Sequence, residues 1–194
     1  MIKTLEGKIL VVEGGDGSGK SEQVKLLSAR LVECGYDVAV WDFPRYGDSV
    51  AGNIAGRMLR GEFGEFMSIH PWLAAMPLAM DRVKVRDQII NWVAQDGVVI
   101  CNRYVGSNLA HGAAKFADFD EAKAFMAGIM QLEFGDNRLP VPDTSFYLAT
   151  DASLARELVL RKSGREYLGG GGGTVDQAER DLEHQANRAS ALVV

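Results

Sequence analysis

A basic excess is missing from this sequence. Lys and Arg together number 21 against 26 Asp and Glu, which leaves a net charge of -5 and a pI near 5.3. A general nucleic-acid binder carries a basic surface, so that class is not expected, although a local basic pocket for phosphates is still allowed. Long apolar runs are missing too: none approaches the roughly 20 residues of a membrane span, so no membrane partner is expected. The opening MIKTLEGKILVVEGG is interrupted too soon for a signal peptide. Cysteine is scarce. Cys34 and Cys101 sit in apolar stretches without metal-like spacing, and both are expected to be reduced core thiols. A cytoplasmic location follows as the expectation. Disorder is not expected, because 47% of the 194 residues are hydrophobic and only 24% are charged. That length suits one domain, taken as 1–194.

What is present is an alternation of strand-like and helix-like segments. Lys8 to Glu13 is a short β-branched run stopped by glycines, which reads as a buried strand. Helical periodicity follows from Lys20 to Glu33, with Val24, Leu27 and Leu31 on one face and Gly35 as the terminating residue. Asp37 to Phe43, Val98 to Cys101 and Thr144 to Ala149 read as further strands. Helices are expected over Ser49 to Arg60, Pro71 to Ala94, Tyr104 to Lys115, Phe119 to Glu133 and Ala152 to Lys162, the second interrupted by Pro77. Met126 and Met130 are expected in the core. This order predicts an α/β fold in three layers, a parallel sheet flanked by helices. Gly169 to Gly173 reads as a mobile loop tip. Asp176 to Val194 looks helical, and the further strand that such a sheet would gain is expected to be missing.

The strongest local signal is Gly14-Gly15-Asp16-Gly17-Ser18-Gly19-Lys20-Ser21, which fits the phosphate-binding loop G-x-x-x-x-G-K-[ST]. A strand precedes it and a helix follows. Glycines let successive N–H groups turn toward phosphate oxygens, and the helix start adds its positive dipole end. Lys20 is expected to bridge the β- and γ-phosphates of ATP, and the Ser21 hydroxyl to ligate Mg²⁺. The motif identifies the phosphate donor only.

Further segments lie where the carboxyl ends of parallel strands would place a second substrate. They are Phe43-Pro44-Arg45-Tyr46-Gly47-Asp48, Asp81-Arg82, and Asn102 to Asn108; Ala79 to Arg82, Arg103 to His111 and, before the fourth strand, Pro142-Asp143 add to the pattern. With the phosphate loop, their order and spacing resemble the thymidylate kinase family, part of the P-loop nucleoside monophosphate kinase group. The resemblance runs from Ile9 to about Arg188. It implies transfer of a phosphoryl group from ATP to dTMP, with a nucleoside monophosphate as substrate and a homodimer by family analogy. The apolar stretch Trp72 to Met80 is available for that interface.

The resemblance also implies roles. Arg45 and Arg103 would grip the acceptor phosphate, Phe43 would wall the acceptor site, and Arg82 would read a ring carbonyl. Ser107 and Asn108 would lie near the base, His111 beside the sugar, and Asp16 near the 3′-hydroxyl or the metal shell. The resemblance further implies a mobile lid over about 161–175, and a cation over the transferring group from its Arg161 or Arg165, with Arg156 behind them. Bland alternatives stand beside these roles. Arg161 has the spacing for a surface pair with Glu157, and Asp81 could be the carboxylate that pairs Arg82 or Arg86.

The pattern is broken at named positions. Asn102 stands where the family has aspartate, Leu78 where an aromatic ring stacks on thymine, and Glu22 where threonine follows Ser21. Leu78 leaves open a kinase for another deoxynucleoside monophosphate. Asn102 and Glu22 leave open a nucleotide-binding protein with impaired catalysis.

Overall fold

The computed structural model describes residues 4–151. The 161–175 lid with Arg161 and Arg165, Arg156, and the helices expected over 152–162 and 176–194 lie outside the described residues.

The first strand, β1 (Ile9–Gly14), is buried along its whole length. Its alternating side chains feed two cores. Ile9 and Val11 join Val99, Cys101, Ile89, Phe125 and Ile129 on one face, while Leu10 and Val12 join Val24, Leu31, Val98 and Ile100 on the other. Burial on both faces explains a continuous apolar run without polar alternation. The helix α1 (Lys20–Glu33) covers the second face. It ends as the sequence predicts. Gly35 takes φ 83°, its N–H reaches the Val32 carbonyl at 2.9 Å, and Tyr36 N–H reaches Leu31 at 3.1 Å. Only glycine adopts that left-handed turn without strain.

Strands β2 (Val38–Asp42), β3 (Val98–Asn102) and β4 (Thr144–Leu148) complete a parallel sheet in the order β2-β3-β1-β4. The helices α4 (Arg86–Ala94), α5 (Val105–Ala113) and α6 (Phe119–Met130) supply the core opposite α1. Helices α2 (Val50–Leu59) and α3 (Pro71–Val83) pack on each other. Ser49 caps α2, accepting the Gly52 N–H at 2.7 Å, and Asp118 caps α6, accepting the Glu121 N–H at 2.9 Å. The adjacent strands β1 and β3 send their helices to opposite faces, so a crevice opens at their carboxyl ends. No helix among the described residues is long and apolar enough to cross a membrane.

Several expectations need correction. Pro77 does not interrupt its helix, since α3 runs through it and the break falls at Lys84–Val85. The bond that Pro77 removes would go to the carbonyl of Leu73, an exposed residue beside solvent. The helix expected to Glu133 ends at Met130 and widens into a π-helical segment, Gln131–Asp136. Met130 is exposed, not core. Cys34 is exposed as well, because α1 turns its last residues outward, whereas Cys101 is buried. Burial pushes the Cys101 thiol up to about 12. A disulfide-exchange reagent at neutral pH is therefore expected to react with one thiol in the native chain, Cys34, and with Cys101 only after unfolding. Loss of both thiols at one rate in native buffer would contradict the fold.

Candidate active site

The crevice holds a cavity of about 790 Å³. One end is the phosphate loop and the other is apolar. At the loop, Lys20 is buried and its Nζ donates to the Gly15 carbonyl at 2.6 Å and to Ser18 Oγ at 3.4 Å. Gly19 precedes α1 and offers no side-chain cap, so the first N–H groups of the helix carry no side-chain acceptor there. Such a helix start suits an anion. Ser21 lines the cavity beside Lys20, and its Oγ accepts from the Asn102 amide at 3.3 Å. Glu22 also lines the cavity, on an exposed turn where water solvates its charge.

Arg103 sits where β3 gives way to α5. Its φ of 63° is left-handed, which costs a residue with a Cβ roughly 1–2 kcal/mol. Neighbouring bonds hold it there. Its N–H donates to Val12 at 2.9 Å, its Nη1 to Ser107 Oγ at 3.1 Å, and its Nη2 pairs with Asp16. Asp16, expected near the 3′-hydroxyl or the metal shell, and Arg103, expected on the acceptor phosphate, thus form an ion pair.

The start of α5 is fixed from another strand. Glu13 of β1 is buried and accepts the N–H groups of Tyr104 at 2.9 Å and Ser107 at 3.1 Å, and the Ser107 hydroxyl at 2.6 Å. It supplies the side-chain cap that the N-cap residue of α5, Tyr104, does not. Gly106 makes room for this, since a Cβ there would lie 2.8 Å from Glu13 Oε1.

The cavity wall away from the loop contains Phe43, Leu78, Arg82, Ser107, Asn108 and His111, all expected on the acceptor side. Phe43 packs on Tyr104 with ring centroids 6.0 Å apart. Arg45 does not line the cavity. Its backbone N–H and Nε donate to Asp81 at 2.7 and 3.2 Å, and Ser49 Oγ donates to the same carboxylate at 2.5 Å. The expected pairing of Asp81 with Arg82 or Arg86 is therefore corrected: Asp81 holds Arg45, because its side chain faces the loop after β2. Arg86 pairs with Asp87 at 2.8 Å instead.

Arg82 is almost wholly buried and pairs with Glu133 through both Nε, at 3.3 Å, and Nη2. Its Nη1 donates to the Tyr104 carbonyl at 3.3 Å, and Asn108 Nδ2 donates to Glu133 Oε1 at 3.2 Å. Glu133 thus anchors two wall residues from the π-helical segment, an irregularity common at functional sites. Sequence reasoning missed this role for Glu133, as it missed those of Glu13 and Asp81. A signal existed: Phe125, Ile129 and Glu133 are spaced by four, which puts a carboxylate on the apolar face of a helix.

Lys115 clamps the wall from behind. Its Nζ donates to the carbonyls of Phe66 at 2.5 Å and Ile69 at 2.9 Å, and lies 3.8 Å from the Phe66 ring centroid. Phe66 in turn meets His111 edge-on, at 6.5 Å. Burial pushes the Lys115 ammonium down to about 8. Its ordinary value is 10.5, so between these limits the unfolded chain binds more protons than the folded one. Lys115 therefore contributes a stability that rises with pH across that window, and the cost of burying its charge is fully present below it. An NMR titration of ¹³C-lysine is expected to show Lys115 turning near 8, apart from the exposed lysines. A Lys115 midpoint grouped with theirs would refute the clamp.

Comparison with known proteins places this arrangement. The thymidylate kinase family model matches residues 12–167. Thymidylate kinase of Mycobacterium tuberculosis is 38% identical over 177 residues, covering 91% of this chain and 80% of that protein. Thymidylate kinase of Pelotomaculum thermopropionicum is 36% identical over 108 residues, covering 55% of this chain and 48% of that protein. A solved structure of thymidylate kinase from Candida albicans, 22% identical, superposes with a TM-score of 0.71 over 97% of this chain and 77% of that one, which bears on the fold alone. Matched over residues 12–167 by the family model and over 91% of its length by a relative of 38% identity, the chain belongs to the thymidylate kinase family, phosphotransferases of the P-loop nucleoside monophosphate kinase group.

Proposed function

We propose that the chain moves the terminal phosphoryl group of ATP onto dTMP, giving ADP and dTDP. The observation that carries this reading is that a single cavity joins Lys20 and Ser21 at one end to Arg82 and Asn108 at the other, with Arg103 between them. A phosphate oxygen of the monophosphate forms the new bond to the γ-phosphorus, and the bond to the departing ADP oxygen breaks. That acceptor oxygen is already ionised, so positioning and charge neutralisation carry the reaction without a strong base. Lys20 draws the donor phosphates to the loop. Arg103 approaches the acceptor phosphate by exchanging its Asp16 partner. Arg45, held on Asp81, serves the same phosphate only by turning its guanidinium inward. Arg82 and Asn108 face the base, and His111 lies beside the sugar. Arg161 or Arg165 is assigned to cover the transferring group.

Mg²⁺ fits the donor end. Ser21 would hold it, and the buried Asn102 amide beside Ser21 has an Oδ1 without a partner, which a metal-bound water would satisfy. When bound, the ion neutralises phosphate charge. A second copy of the chain is the proposed partner, because α3 leaves Leu73, Met76 and Met80 exposed at 67%, 39% and 59%.

The neutral amide at Asn102 favours a second reading, nucleotide binding with impaired turnover. One assay separates the two. ADP and diphosphate formation are followed with ATP, Mg²⁺ and each nucleoside monophosphate in turn, for the parent and for Asn102→Asp. Faster turnover of dTMP than of the others by the parent supports the proposal. Preference for another deoxynucleotide moves the substrate to the one that Leu78 accepts. Turnover by Asn102→Asp alone establishes the impaired form.

A further inference from the structure

We propose that Asp42 supplies the carboxylate of a divalent-cation site at the phosphate loop, from the strand beside the one that carries Asn102. The inference rests on the nucleotide-binding reading above.

Asp42 and Asn102 are partners in the register of β2 and β3. Parallel neighbours in register lie about 4.8 Å apart and point their side chains to the same face of the sheet. That face is the one α1 covers. Asn102 is in register with Val12, whose side chain joins the α1 core, and Asn102 Nδ2 reaches Ser21 on α1 itself. Asp42, Asn102, Ser21 and Lys20 all line the same cavity.

Asn102 is 5% exposed, and its Oδ1 has no partner. Turning the amide over would only exchange the orphaned oxygen for an orphaned nitrogen. A buried polar atom left so is costly, and it marks a place where something polar belongs. A hydrated cation on Ser21 and the nucleotide phosphates would present a water to that atom.

Asn102 brings no charge to such a site, so another group must. Asp16 is directed toward Arg103, the residue proposed for the acceptor phosphate. Glu22 follows Ser21 directly on α1, and successive helical residues do not face each other. Asp42 brings a carboxylate from one strand over, on the same face of the sheet as Asn102 and in the lining of the same cavity. Among the described residues no group of three or more His, Cys, Asp or Glu is placed to hold a metal alone. Mg²⁺ does not require one, since it keeps several waters and takes one or two carboxylates together with substrate phosphates. In this arrangement the charge at the cation lies on β2, and the amide on β3 orients a water.

Mn²⁺ is the probe, with free ion counted by electron paramagnetic resonance in the presence of the full chain and a non-hydrolysable ATP analogue. Asp42→Asn is expected to weaken Mn²⁺ binding about 10–100-fold, the usual loss when a partner outside the direct ligands is removed. Analogue binding in chelator should be unchanged. Asp42→Asn/Asn102→Asp, which moves the carboxylate across one strand, should recover most of the affinity. Asp42→Ser, with its melting temperature checked, should repeat the loss. Unchanged Mn²⁺ affinity in folded Asp42→Asn, or no recovery in the double variant, overturns the role of Asp42 and leaves the nucleotide reading standing. If the parent binds no analogue at all, the nucleotide reading fails and this inference fails with it.

Discussion

Glu133→Ala is expected to destabilise the chain by about 3–5 kcal/mol, the usual result of stripping one partner from a buried ion pair. The reason lies in what remains. Arg82 is 2% exposed, and without Glu133 its charge would keep only the Tyr104 carbonyl at 3.3 Å. Asn108 Nδ2 would also lose an acceptor, keeping the Ala75 carbonyl at 3.3 Å. A domain of this size loses about 2–4 °C of melting temperature per kcal/mol, so calorimetry resolves the effect readily. The double variant Arg82→Met/Glu133→Leu distinguishes the pair's geometry from its net contribution. Replacing both charges with apolar groups of similar volume is often neutral, so most of the stability should return. Monophosphate binding should not return, because the group proposed to face the base is gone. A single variant within about 1 kcal/mol of the parent would contradict the buried pair, since such pairs cost more to break.

Lys20→Met is expected to lower kcat by about 10²–10³-fold, the effect of removing one preorganised charge from a phosphoryl-transfer site. Methionine keeps the aliphatic stem, and the lysine donates within the loop itself, to Gly15 and Ser18. Stability should accordingly change by less than about 1.5 kcal/mol. The two variants thus fail in different ways, Glu133→Ala through the fold and the acceptor, Lys20→Met through the transfer step. A residual rate within tenfold of the parent in single-turnover experiments would remove Lys20 from the mechanism.

How far the sequence announced this site depends on the distance each contact spans. The phosphate loop is local: eight consecutive residues carry their own geometry, and a strand and a helix confirm them. The strands β1 and β3 were legible because burial on both faces writes an unbroken apolar run. The partners were not legible. Arg82 and Glu133 are joined across 51 residues, and Arg45 and Asp81 across 36, so neither pairing has a spacing to recognise. Asp81 was offered to its sequence neighbours Arg82 and Arg86, yet the fold turns it to the loop after β2. The help that Glu13 gives to α5 crosses 91 residues, and only the register of β1 beside β3 makes it possible. Pro77 misled for another reason. Helix propensity assigns proline a large penalty, but its lost bond here faces solvent and the buried side of α3 is unaffected.

The way α1 ends has a practical consequence. The helix begins at Lys20 in the phosphate loop and closes 14 residues later, just before exposed Cys34. At 1.5 Å per residue that is about 21 Å of rigid rod. A fluorophore attached to Cys34 would therefore stand clear of the cavity yet be fixed to its floor, with no residue needing to be engineered. Paired with a fluorescent nucleotide, it makes the chain a ready-made molecular ruler, one that reads occupancy of the donor site as energy transfer.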